Sequence, residues 1–220
     1  LGPGSGDLGS SIDLLEAVHF AAVKAQDRGL AINMSIGRHA GPHDGTLLIE
    51  RAIDWLIVNR PGTVVVQSTG NYFDRHIHAQ GRLRETRTAT LPFNVPRLEG
   101  SLPTIEVWYK GADRFTVRAT APDGSHVEAE RDTDAPLAGP QGQEYAWLYH
   151  RAFDPNNGDH LVALVLRHDA PLGEWTIALT GQDVVDGRWH AWIERNAACP
   201  PCQAQFLPGV SSSRTTTGSI

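Results

Sequence analysis

The sequence predicts a short α/β segment built on part of a parallel sheet, followed by an all-β sandwich. Two observations predict this. Through residue 95, helical periodicity and short apolar runs take turns; beyond it, short strands separated by Gly and Pro dominate. The division that follows is 1–95 for the α/β part, 96–196 for the sandwich and 197–220 for a segment returning to the first part.

Residues 13–28 carry Leu14, Leu15, Val18, Ala21, Ala22 and Ala25 at helical spacing, which is one face of an amphipathic helix. Ser10 and Asp13 are its capping candidates and Gly29 is its stop. Residues 30–36 read as a short apolar strand. A second helix over 46–59 turns Leu48, Ile49, Ala52, Ile53 and Leu56 inward and ends at Pro61-Gly62. The three valines of 63–67 have the continuous apolar character of a strand covered on both faces. Strand, helix, strand at this spacing is a right-handed parallel βαβ unit. Two strands make a poor sheet, so more are expected from sequence outside these residues.

In the second part, strands are expected over 104–110 and 114–119, with Phe115, Val117 and Ala119 on one face. Pro122-Asp123-Gly124 is a turn. Further strands fall at 144–150, 161–167, 174–180 and 188–194, the last following Asp186-Gly187. Strands at this density indicate an antiparallel sandwich. There are no internal repeats, and the Ser/Thr-rich residues 211–220 read as disordered.

The chain has 220 residues, is 40% hydrophobic and 20% charged, and carries a net charge of −6. That balance offers no basic footprint for nucleic acid and no polybasic membrane patch. No apolar run approaches the roughly 20 residues that span a bilayer. The single methionine is Met34, so no initiator is present, and the sequence reads as cut or excerpted. Cys199 and Cys202, spaced C-P-P-C, are the two cysteines. With no second CxxC or CxxH, a zinc site is incomplete, and the prolines argue against a redox dithiol; a local disulfide or two idle thiols remain.

Two segments carry candidate chemistry: Ile32-Asn33-Met34-Ser35-Ile36-Gly37 and Val65-Val66-Gln67-Ser68-Thr69-Gly70-Asn71. Each lies at the carboxyl end of a predicted parallel strand, where open α/β sheets bind ligands. An asparagine placed there after a glycine can aim its side-chain amide at a developing oxyanion in acyl transfer.

With the helix between them, the N-M-S-I-G and S-T-G-N stretches resemble the central part of the subtilisin-like serine proteases, over about residues 10–83. Gly41-Pro42-His43-Asp44-Gly45 and Ile77-His78-Ala79 resemble a bacterial subgroup, while Ser68-Thr69 departs from the usual A-A before G-N. The resemblance implies a partial subtilisin-like parallel sheet, with Ser35, Ile36 and Gly37 pairing with substrate backbone as an edge strand. It makes Ser68, Thr69 and Gly70 a wall of the specificity pocket, and Asn71 the oxyanion-hole donor. Gly173-Glu174-Trp175-Thr176-Ile177 and Gly187-Arg188-Trp189-His190-Ala191-Trp192-Ile193 resemble the jelly-roll sandwich inserted in some bacterial subtilases. They are also similar to the P-domain of proprotein convertases.

The family's D-[ST]-G, H-G-T-H and G-T-S-M-A motifs do not occur in the sequence. Asp132-Thr133-Asp134 lacks the glycine, and Thr217-Gly218-Ser219 is a scrambled match in the tail. The triad is therefore expected outside these residues, and the chain alone is expected to be inactive. The expected parent is a secreted or periplasmic endopeptidase, acting on peptide or protein substrates and needing no cofactor. The alternative is a pseudoprotease, or a module that binds a partner or a glycan.

Other candidates have bland readings. His39, His43, His76 and His78 could ligate a metal, His76 and His78 from one strand face, but loop histidines more often only hydrogen-bond. Trp108, Trp147, Trp175, Trp189 and Trp192 could form a sugar platform, but read first as buried packing. The oxygen-rich run from Asp154 to Asp159 could hold calcium, but lacks EF-hand spacing and reads as a solvated turn.

Overall fold

The structure, a computed structural model, describes residues 11–98, 101–197 and 199–210. Ser10 and the 211–220 tail, including Thr217-Gly218-Ser219, lie outside the described residues. The chain divides into two compact units that meet in sequence between Asn71 and Tyr72.

The first unit runs α1 (Ser11–Ala25), β1 (Leu30–Met34), α2 (Leu48–Asn59) and β2 (Thr63–Gln67). β1 and β2 pair in parallel, from Leu30 opposite Thr63 to Met34 opposite Gln67. Val18 of α1, Met34 of β1 and Ile49, Ile53 and Leu56 of α2 form its core. Leu14, Leu15 and Ala22 pack around that core as the helical pattern anticipates. The Glu50 carboxylate accepts the Leu47 N–H (3.0 Å) at the start of α2, satisfying one of the donors a helix start leaves open. Leu48 is 68% exposed rather than inward. At 100° per residue, the 49–53–56 stripe leaves its neighbour on the edge of the apolar face.

Alternation along the strands leaves Val64 and Val66 exposed, at 57% and 55%. The expected subtilisin-like parallel sheet is therefore not evident: among its described residues the unit holds a single parallel pair and two helices, and the described chain is mostly β. Continuous apolar character in 63–67 reflects one buried face, not two.

The second unit contains β3 (His78–Arg82), β4 (Thr88–Val95), β5 (Thr104–Tyr109), β6 (Arg114–Thr120), β7 (His126–Ala129) and β8 (Thr133–Ala138). β9 (Glu144–Arg151), β10 (His160–Leu166), β11 (Gly173–Asp183), β12 (Arg188–Ile193) and β13 (Gln205–Phe206) complete it. One sheet has the order β3-β12-β5-β10-β9-β8 and the other β13-β4-β11-β6-β7, with every pairing between these strands antiparallel. Their inward residues form one core, including Phe93, Ile105, Val107, Phe115, Leu148, Trp175 and Phe206. Phe115, Val117 and Ala119 are all buried, as alternation predicts.

The boundary expected at residue 95 falls inside this sandwich, because β3 and β4 already belong to its two sheets. Gln80, Gly81 and Arg82 disguise β3, and Pro92 interrupts the apolar alternation of β4. β13 likewise pairs with β4 rather than returning to the first unit. Pro136, another apparent breaker, lies in β8 at the edge of its sheet, where a missing N–H is tolerated.

Buried polar groups tie the turns. Asp113, between β5 and β6, is 1% exposed and accepts the N–H groups of Val185 (2.7 Å), Asp186 (2.8 Å) and Gly187 (2.7 Å). Gly187 has φ +78, and a Cβ there would lie 2.1 Å from the Leu83 carbonyl oxygen. After β12, Asn196 and Gln203 lock a loop reciprocally: Gln203 Oε1 accepts the Asn196 N–H (3.0 Å) and Asn196 Oδ1 accepts the Ala204 N–H (3.0 Å). Cys199 and Cys202 form a disulfide within that loop.

Two outcomes follow. Trp175 is fully buried, with its indole N–H bonded to the Pro171 carbonyl (2.9 Å). Trp175→Ala lowers unfolding free energy by about 3–5 kcal/mol in chemical denaturation. The disulfide closes so short a loop, already held by Asn196 and Gln203, that Cys202→Ser lowers it by about 2 kcal/mol or less in the same assay.

Candidate functional site

The two candidate segments leave the carboxyl ends of β1 and β2, which are hydrogen-bonded neighbours. The Ser68 N–H donates to the Met34 carbonyl (2.9 Å), carrying the ladder one step past the strands. Gln67 then donates its side-chain amide to the Ile36 carbonyl. Ser35-Ile36-Gly37 and Ser68-Thr69-Gly70 are thereby held together, as their positions at adjacent parallel strand ends require.

Ser68 Oγ accepts the Gly70 N–H (3.1 Å), a side-chain-closed turn, and Gly70 takes φ +85. That left-handed step is costly for residues with a Cβ. Asn71 follows directly and is exposed. Ser35 is exposed and its Oγ accepts the Asn33 side-chain amide (3.3 Å), while Ile36 packs against the unit's core. Anchored at Ile36 and open at Ser35, the first segment can offer backbone groups to an extended chain. The second presents a neutral amide donor at Asn71.

The remaining candidates resolve differently. His43 Nε2 donates to the His39 carbonyl (2.7 Å), since a carbonyl can only accept. His76 lies outside β3 with φ +52, so it does not share a strand face with His78. His78 is buried, 3.1 Å from Nδ1 of His190, and stacks on Trp192 with ring centroids 3.7 Å apart. Burial, aided by the charges of Arg188 and Lys110, lowers the His190 pKa below its ordinary value. Sequence reasoning missed this His78–His190–Trp192 cluster because the β3–β12 pairing that builds it joins distant residues.

Trp108, Trp175, Trp189 and Trp192 are buried, and only Trp147 of the five is half-exposed. In the Asp154–Asp159 run, Asp154 Oδ1 accepts the Asn156 N–H (2.9 Å) and Asn157 Oδ1 the Asp159 N–H (2.9 Å). Asp159 pairs with Lys110 (2.7 Å), so its oxygens serve the turn and its neighbour.

Among solved structures, the fold matches that of the Clostridium perfringens CspB protease, with TM-score 0.75 at 18% sequence identity. The likeness is to a protease. The match covers 94% of this chain but 44% of that one, so the chain spans less than half of the protein it matches. No known protein family and no curated protein matches the sequence. Membership of the subtilisin-like family, expected from the strand-end motifs, is accordingly not upheld. The described residues are mostly β with two α-helices, and at 18% identity the likeness shows the fold alone. No described helix is long and apolar enough to cross a membrane.

Gly70→Ala forces a Cβ into the left-handed region at the turn before Asn71. It lowers stability by about 1–2 kcal/mol in chemical unfolding.

Proposed function

We propose that this chain is one part of a serine-type endopeptidase, supplying a substrate groove and an oxyanion donor to a triad carried elsewhere in the same protein. The observation that carries this reading is the hydrogen-bonded junction of the two strand ends, with Asn71 exposed just beyond the Gly70 turn. Ser35, Ile36 and Gly37 pair with the extended substrate backbone by adding it as a strand. Ser68, Thr69 and Gly70 wall the pocket beside the residue preceding the scissile bond. The Asn71 amide donates to the oxyanion as the serine adds to the carbonyl, lowering the barrier because the charge exists only in the transition state.

The likeness to a protease fold supports the reaction class. The Cys199–Cys202 disulfide supports an oxidising location outside the cytoplasm. The rival reading is a non-catalytic relative whose groove binds a partner; burial of most sandwich tryptophans weighs against a glycan platform.

The test uses the parent polypeptide, a fluorophosphonate that labels activated serines, and a peptide substrate. The parent is labelled, and Asn71→Ala lowers kcat about 100- to 1,000-fold. This chain alone hydrolyses nothing. A folded parent that is neither labelled nor active would make the groove a binding site.

A further inference from the structure

We infer that His160 is a proton-operated latch, holding the loop 152–159 at one tip of the sandwich near neutrality and releasing it in mild acid. This inference concerns the second unit and is independent of the protease reading.

His160 opens β10 and is completely buried. Its Nδ1 lies 3.1 Å from the backbone nitrogen of Phe153. A backbone N–H can only donate, so Nδ1 is an acceptor and the neutral ring carries its proton on Nε2. Nε2 is buried without a hydrogen-bond partner. The imidazole thus has one satisfied edge, and that edge works only while Nδ1 is bare.

The segment it holds is strained. Phe153 has φ +52, a left-handed conformation that is an outlier for a bulky side chain. Its ring sits edge-on to His160, with centroids 4.8 Å apart, and is otherwise 56% exposed. The neighbouring Ala152 N–H is held by Asp132 Oδ1 (2.9 Å).

The groups facing His160 are known from each side. Tyr109 of β5 packs on it at 4.8 Å, His150 of β9 interacts with it electrostatically, and Arg131 and Asp132 come from the β7–β8 turn. Burial first, then the positive charge of Arg131, lowers the His160 pKa; the Asp113 and Gly111 carbonyls and Asp132 oppose this. The closed state therefore binds fewer protons than the open one, where the ring returns to about 6.5. The latch holds fully above that value and weakens as pH falls below it.

His150 is buried too, but its geometry differs. Its Nδ1 donates to the Ala129 carbonyl (3.3 Å) and its Nε2 accepts the Tyr109 hydroxyl (2.6 Å). A proton on Nε2 simply reverses the bond to Tyr109, because a phenol oxygen can accept. A proton on Nδ1 of His160 sets two donors against each other.

Amide hydrogen exchange of the intact chain tests this, corrected for the intrinsic pH dependence of exchange. Between pH 7.5 and 5.5 the Phe153 amide opens several-fold more, up to a ceiling of about tenfold, while the Val162 and Leu164 amides keep their protection. In His160→Asn, whose Oδ1 replaces Nδ1 as a non-titrating acceptor, the response disappears; in His150→Gln it persists. A flat Phe153 response, a response retained in His160→Asn, or simultaneous loss of Val162 and Leu164 protection overturns the latch. Nitrogen NMR of the unmutated chain gives a second reading: a His160 tautomer protonated on Nδ1 at pH 7.5 overturns it as well.

Discussion

The sandwich must bury one face of each sheet against the other while its chain passes repeatedly from one sheet to the other. Most connections cross the core's rim: β3 to β4, β4 to β5, β5 to β6, β7 to β8, β10 to β11, β11 to β12 and β12 to β13 all change sheets. Turns at such a rim cannot satisfy their backbone groups by strand pairing, so side chains must do it. Asp113 does so for the β11–β12 turn, and Asn196 with Gln203 for the loop after β12. Apolar alternation supplies the driving force, but these few polar groups decide which turns the packed sheets accept.

Much of the regular structure was legible. Helical spacing located both helices, and alternation located β5, β6 and β9 to β12, because each carries its apolar residues on one face. Short apolar runs located β1 and β2, whereas the other strands were hidden by composition. β3 bears His78, Gln80 and Arg82 on its outer face, and β8 contains Pro136; both lie at sheet edges, where sequence is freed from the demands of a central strand. Beyond the parallel pairing of β1 with β2, which strand lies beside which was not legible. The His78–His190–Trp192 cluster and the Tyr109–His150–His160 group exist only because distant strands are neighbours, and no local pattern encodes that.

The candidate site shows a similar division. The two strand-end segments could be found from sequence because a parallel βαβ unit brings its carboxyl ends together by construction. What tied them, Gln67 reaching the Ile36 carbonyl, could not, since an outward-pointing glutamine is the default at such a position. The motifs also suggested a family, whereas the chain shows only a fold shared at low identity. Short glycine-containing turns at strand ends answer to local geometry as much as to descent.

The strand order also sets a timetable. β3 ends at Arg82 and, among the described strands, has a hydrogen-bonded neighbour only in β12, which starts at Arg188. As a ribosome emits the chain, about a hundred residues must follow β3 before its partner exists, a delay of roughly 5–20 s at typical synthesis rates. Throughout that interval its backbone groups, and those of β4 awaiting β11, face water or whatever else will pair with them. A nascent sandwich of this topology is most open to mispairing at its amino-terminal strands, and closure is the last event rather than the first.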